Sequence, residues 1–265
     1  MDYSRYKTLA FRRTGRILIM SFNRPEARNA VNQLMHTEMS WVFADIAADT
    51  ETDVVVITGE GSAFSAGGDL NMVKNVTQEL KDIQFVEARK IILDMLEVSQ
   101  PIIAAINGAA AGLGATIGLF CDVIYAADTA KIADPHVLIG LTAGDGGAVI
   151  WPALVGVARA KEYLMTGDSL TATEAERIGL INHVLPVDQV LPKAMALATR
   201  LCNGSQSAIR STKRSVNRAL AATANMTLEL SLAYEKECFN TDFHKKAVAA
   251  IAESISSKSG KSKKA

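Results

Sequence analysis

Ala63-Phe-Ser-Ala-Gly-Gly-Asp-Leu70 and Asn107-Gly-Ala-Ala-Ala-Gly-Leu-Gly-Ala-Thr116 lie well apart in the chain, and each follows a short β-like run. Their small side chains leave the main chain uncovered, so peptide N–H groups can approach a ligand oxygen closely. Two such donors converging on one oxygen would stabilise negative charge developing there. A further stretch, Asp134-Pro-His-Val-Leu-Ile-Gly-Leu-Thr-Ala-Gly-Asp-Gly-Gly147, carries His136 with Asp145 nine residues on. An imidazole with an unperturbed pKa of about 6.5 suits reversible proton transfer near neutrality.

The elements that must hold these residues alternate. Ile17 to Phe22 alternates into an Asn-Arg-Pro turn, and Asn32 to Ala48 carries apolar residues at helical spacing, with Asn32 as the N-cap. Val54 to Thr58 is a β-branched run of the kind that forms a strand covered on both faces. The pattern then repeats as a helix from Gln78 to Val98, a strand from Ile102 to Ile106, a helix from Leu113 to Cys121 and a strand from Val123 to Ala126. Strands alternating with helices predict an α/β layered core. Thr171-Ala-Thr-Glu174 reads as a capping box opening a helix, followed by Gly179 and a short strand from Ile181 to Leu185. Residues 1–201 are expected to form the main domain and 202–254 a helical region without strands. The polar, lysine-rich 255–265 is expected to be a disordered tail.

Composition narrows the function. The 265 residues are 49% hydrophobic, enough for a large core, and 28 basic residues balance 28 acidic ones. Without a broad positive field there is no basis for binding nucleic acid or an acidic membrane, so the expected partner is a small molecule. Ile102 to Cys121 is apolar, but Asn107-Gly108 and glycines 112, 114 and 118 break it up, which argues against a membrane span. Cys121, Cys202 and Cys238 are scattered and odd in number, and the first residues lack an export-signal pattern; both predict a cytoplasmic protein. Neither the cysteines nor His36, His183 and His244 show ligand spacing, so no metal is expected. Dinucleotide, phosphate-loop and nucleophile-elbow patterns are absent from the sequence.

The sequence resembles the crotonase superfamily, which includes enoyl-CoA hydratases and isomerases, over nearly its whole length. The residues that carry the likeness are Asn23-Arg-Pro-Glu-Ala-Arg-Asn-Ala30, Phe64-Ser-Ala-Gly-Gly-Asp69, Asn107-Gly108 with its glycine-rich sequel, and Cys121-Asp122. The resemblance implies a spiral of ββα units and a C-terminal helical region used for trimerisation, giving a homotrimer or a dimer of trimers. It also implies an acyl-coenzyme A thioester as substrate, with no tightly bound cofactor. By motif position, the oxyanion donors fall on the amides of Gly68 and Leu113. The Ala66 carbonyl matches an adenine contact, and Arg28 matches a place where some relatives put a phosphate-binding cation.

The sequence also departs from the family. The two glutamates that serve typical hydratases fall here on Thr116 and His136, and a threonine is no base near neutral pH. The resemblance therefore moves proton handling to His136, with Asp145 as the carboxylate that binds one ring nitrogen and leaves the other free as base. Thr116 is expected to pack or to orient a water. Glu235 falls where some relatives bring an acid from the C-terminal helices, and equally fits a solvated helix face. Three activities are compatible with these residues. The favoured one is enoyl-CoA hydration or isomerisation. The others are hydrolysis of a carbon–carbon bond in a β-ketoacyl-CoA or cyclic β-diketone, because His136, Asp145 and Trp151-Pro152 also resemble the crotonase-type diketone hydrolases, and a non-catalytic acyl-CoA-binding protein.

Overall fold

The computed structural model describes residues 1–69 and 77–250. The expected tail, 255–265, lies outside them, as does Leu70 at the end of the first glycine stretch.

A six-stranded sheet runs in the order β1-β2-β3-β5-β7-β10, from β1 (Leu9–Thr14), β2 (Ile17–Phe22), β3 (Val54–Gly59), β5 (Ile102–Ile106), β7 (Val123–Ala127) and β10 (His183–Leu185). Every pairing in it is parallel except β1 with β2. Strands β2, β3 and β5 are buried at every residue, as their unbroken apolar runs predict. Each Val or Ile fully withdrawn from water there contributes about 2 kcal/mol.

A second sheet of short strands runs β4-β6-β8-β9, from β4 (Ala63–Ser65), β6 (Ala109–Ala111), β8 (Lys131–Ala133) and β9 (Leu170–Thr171). Three successive repeats feed both sheets. Each places a long strand in the first sheet and a short one in the second before the chain turns into helix. The strand pairs are β3 with β4, β5 with β6, and β7 with β8; the helices that follow are α2 (Gln78–Glu97), α3 (Gly112–Leu119) and α4 (Gly147–Val155). This is the ββα spiral that the resemblance implies.

Helix α1 (Gln33–Ala48) precedes the first repeat, and the Asn32 side chain caps it by accepting from the Met35 N–H. After α4 come α5 (Val157–Thr166), α6 (Ala172–Arg177), α7 (Val187–Cys202) and the 33-residue α8 (Gln206–Cys238). Thr171 caps α6 by accepting from the Glu174 N–H, as the capping-box pattern predicts. Helix α8 packs against α2 and α4 and buries Leu228, Ser231, Leu232 and Glu235. Among the described residues no helix is long and apolar enough to cross a membrane.

Candidate active site

Asn29 fixes the entrance to the site. It is fully buried at φ 55°, a conformation asparagine tolerates better than most residues. Its side-chain amide donates to the Glu60 and Ala63 carbonyls, its Oδ1 accepts from Arg24 N–H, and its own carbonyl accepts from Ser65 Oγ. One side chain thus joins the Asn23–Ala30 turn to strand β4. The Ala66 N–H then donates to the Arg28 carbonyl at 3.0 Å, so Arg28 and Ala66, both exposed, lie together at the cavity wall.

Beyond Ala66 the chain forms a single parallel bridge, Val31 with Gly68. Val31 N–H donates to the Gly67 carbonyl at 2.7 Å and Asp69 N–H to the Val31 carbonyl at 2.8 Å. Strand geometry directs the Gly68 amide to the opposite side, and among the described residues that amide has no hydrogen-bond partner. Gly67 must be glycine. Its φ is +81°, and a Cβ there would sit 2.8 Å from the Ala111 carbonyl oxygen. That contact brings the first glycine stretch against the start of α3, where Gly112 and Leu113 carry N–H groups that no helical turn precedes. Gly68 and Leu113 line one cavity of about 680 Å³ with Arg28, Ala66, His136 and Asp145. A Cβ at Gly112 (φ +50°) would lie 3.5 Å from His136 Cε1 and 3.7 Å from Gly67 Cα, so the imidazole stands beside both glycine stretches.

His136 opens a short 3-10 turn, His136–Ile139, directly after Pro135. Its Nδ1 is 2.5 Å from Asp134 Oδ1, and its Nε2 is 3.5 Å from Asp145 Oδ2. This corrects the sequence expectation. The carboxylate bonded to the ring is Asp134, two residues upstream, and Asp145 faces the other nitrogen, so neither nitrogen stands alone. Burial opposes a charged ring, but Asp134 and Asp145, with Glu235 behind them, outweigh it and hold His136 well above the ordinary histidine range. The two carboxylates thus favour the charged form of the ring and make it a more reluctant proton donor than an isolated imidazolium. Asp145 is raised from the carboxylate range, first by burial and then by Asp134, with His136 pulling the other way. Thr116 Oγ1 is 3.5 Å from Asp145 Oδ1. Both aspartates stand at the start of α4, Asp145 just before its N-cap and Asp134 Oδ2 beside Gly147, where the helix dipole favours negative charge.

Glu235 is 7% exposed and lines the same cavity, not a solvated helix face. Its Oε2 lies against Gly144, where an added Cβ would come within 2.3 Å of it. Among the described residues it makes no side-chain hydrogen bond, and burial, reinforced by Asp145 and Asp134 against the pull of His136, pushes its pKa up to about 8. Glu235 is a protonated acid at neutral pH, beside an imidazolium and a carboxylate.

Ligand atoms of Asp134, His136 and Asp145 come within 4.8 Å of one another, a gathering that sequence spacing does not reveal. Nδ1 and Asp134 already engage each other, leaving Nε2 and Asp145, short of the three or four protein ligands of a zinc site. The cluster is better suited to holding a proton than a cation.

A family model described as enoyl-CoA hydratase/isomerase matches residues 12–259. The chain belongs to this family. A probable enoyl-CoA hydratase of Mycobacterium bovis is 35% identical over 243 residues, covering 90% of each chain. A crystal structure of an enoyl-CoA hydratase/isomerase from Mycobacterium paratuberculosis has a TM-score of 0.89 at 35% identity, over 92% of this chain and 98% of that one. A β-diketone hydrolase from the cyanobacterium Anabaena, solved with (S)-3-oxocyclohexyl acetic acid, has a TM-score of 0.82 at 28% identity, over 88% and 94%. Membership of this family makes the protein an enzyme of enoyl-CoA hydratase/isomerase type, a group acting on coenzyme A thioesters.

Sequence reasoning missed Asp134 as the partner of His136 and left His36 without a role. The Asp-Pro-His order was a usable signal. Proline stiffens the link, and a carboxylate two residues before a ring commonly reaches it through a local turn. His36 gave no such signal, because Glu87, which holds it, comes from another helix.

Proposed function

We propose that this enzyme moves a proton at the carbon beside an acyl-CoA carbonyl, holding the resulting enolate on the amides of Gly68 and Leu113. What supports this is the approach of Gly67, Gly112 and the His136 ring to one another within a single cavity. The thioester oxygen accepts from both amides, and charge builds on it as the adjacent C–H breaks. Asp145, a carboxylate of raised basicity facing Nε2, takes that proton; the imidazolium, held through Nδ1 by Asp134, keeps the new charge distribution balanced. Return of the proton two carbons along the chain migrates the double bond, so the favoured reaction is enoyl-CoA isomerisation by one proton-carrying unit. Arg28 and Ala66, at the wall, suit the nucleotide end of coenzyme A.

A second reading has its own support in Glu235. With a proton held on this acid at neutral pH, Asp145 and His136 could activate water against a ketone. The carbon–carbon bond would then break toward the enolate, and Glu235 would protonate the carbanion. The likeness to the Anabaena β-diketone hydrolase favours this alternative. Incubation with 3-enoyl-CoA, 2-enoyl-CoA and a cyclic 1,3-diketone, followed by product analysis, separates the readings. Migrated double bonds support isomerisation, ring-opened acids replace it with hydrolysis, and tight binding without turnover makes the protein a silent acyl-CoA binder. Exposed Met226, Leu230 and Tyr234, spaced four apart along α8, support the expected trimer, which light scattering tests.

A further inference from the structure

The same cavity is lined by a second histidine–carboxylate pair. His36, in the first turns of α1, is 6% exposed and lines the cavity; its Nδ1 is 2.7 Å from Oε2 of Glu87 on α2, itself buried. Gln33 Nε2 reaches the same Glu87 oxygen at 3.4 Å, and Gln84 Nε2 donates to Gln33 Oε1 at 2.6 Å, so the carboxylate is held in turn. With Nδ1 turned to Glu87, the remaining polar atom of the ring is Nε2. It has no hydrogen-bond partner among the described residues, and it is not one of the buried polar atoms sealed away without one. Phe85 and Ala88, also on α2, line the same cavity as apolar wall. His36 lines the same cavity as Asp145 and His136, so it stands within the reacting region.

A scaffold histidine needs both ring nitrogens satisfied or wet. One fixed by a carboxylate, with its other nitrogen presented to a largely apolar cavity, is built to meet a polar group on a ligand. The two amides and the His136 cluster already serve the thioester and the moving proton. We infer that His36, oriented by Glu87, recognises a second oxygen on the acyl group, so that the preferred substrate is an oxo- or hydroxyacyl thioester, not a plain hydrocarbon chain. This rests on the proposed acyl-CoA reading and narrows its substrate class. A neutral ring accepts from a hydroxyl at Nε2 and a charged ring donates to an oxo group; Glu87 holds Nδ1–H in either state. A site built around such a bond discriminates strongly against a ligand lacking it, because the ring nitrogen is then left unpaired.

Calorimetric titration with butanoyl-CoA, 3-hydroxybutanoyl-CoA and 3-oxobutanoyl-CoA tests this without requiring turnover. The wild-type protein should bind one of the two oxygenated thioesters at least about tenfold more tightly than butanoyl-CoA. His36→Leu should bring the three affinities within about twofold of one another, and His36→Gln, which keeps a polar end, should retain part of the preference. Glu87→Gln tests the positioning role and should weaken the preference for the oxygenated thioesters by more than it changes butanoyl-CoA affinity. Should His36→Leu fail to fold, as circular dichroism would show, the Gln variants at both positions carry the test. Equal affinities in the wild type, or a preference that survives both substitutions at His36, overturn the inference. The proposed reaction fails separately, by absent turnover on the substrate panel.

Discussion

Two regions of this molecule bury carboxylates, and they treat them in opposite ways. In the scaffold around β1 and the end of α1, Glu38 accepts from Lys7 N–H, Thr8 N–H and Thr8 Oγ at 2.6, 2.9 and 2.5 Å. Asp49 is surrounded by Arg13, Thr52, Glu51 N–H and Tyr3. Burial alone would raise it, but these partners bring its pKa down to about 2. On the cavity wall, Glu235 has no side-chain hydrogen bond among the described residues and sits at about 8, and Asp145 has only a 3.5 Å hydroxyl and a 3.5 Å imidazole nitrogen. Complete satisfaction marks a carboxylate that holds the fold together. A deficit of partners in a cavity marks one poised for chemistry.

The contrast can be broken at several points. The largest expected effect is at His136. Replacement by alanine should lower turnover about a thousandfold by removing the ring that faces Asp145, the proposed base, and should also lower the melting temperature, because Asp134 and Asp145 lose the group that offsets their buried charge. Glu38→Ala should act on the fold alone, losing about 3 kcal/mol in chemical denaturation because three donors are orphaned, with kcat unchanged in the folded fraction. Gly67→Ala, whose Cβ would meet the Ala111 carbonyl at 2.8 Å and disturb the Gly68 amide, should cost about a hundredfold in kcat.

Glu235→Gln sharpens the comparison through pH. The native carboxyl binds its proton up to about pH 8 and the unfolded one only to about 4.5, so its stabilisation is complete below pH 4.5 and drains away as pH rises to 8. The variant should therefore be about 4 kcal/mol more stable relative to wild type at pH 8.5 than at pH 4, measured by urea titration. The smallest effect is at Asp49, where the sign inverts. Its lowered pKa contributes stability above pH 3.8 that is lost as pH falls through about 2, so Asp49→Asn should cost about 2 kcal/mol at pH 7 and nothing well below pH 2.

Much of the scaffold was legible because its residues follow local rules. Asn32 and Thr171 cap the helices their positions announce, and the apolar runs at 54–58 and 102–106 are the central strands. The strands of the second sheet are two or three residues long, too short for periodicity to speak, and α4 carries Pro152 in its interior, which hides it as a helix. The glycine stretches announced a backbone site, and the structure brings them together. Asp145 faces one nitrogen of His136, and the partner that spacing did not suggest is Asp134, on which the 3-10 turn after Pro135 folds the other nitrogen. The raised state of Glu235 depends on burial by α8 against the 142–145 loop, a contact between distant segments that no local pattern encodes.

Deuterium uptake from heavy water at the carbon beside the thioester carbonyl of butanoyl-CoA, followed by proton NMR, isolates enolate formation from every later step. The wild-type protein should catalyse that uptake, and His136→Ala should slow it about a thousandfold while still binding the thioester. Uptake that proceeds undiminished in the variant, or that never exceeds the uncatalysed rate in the wild type, would contradict proton transfer at this cluster.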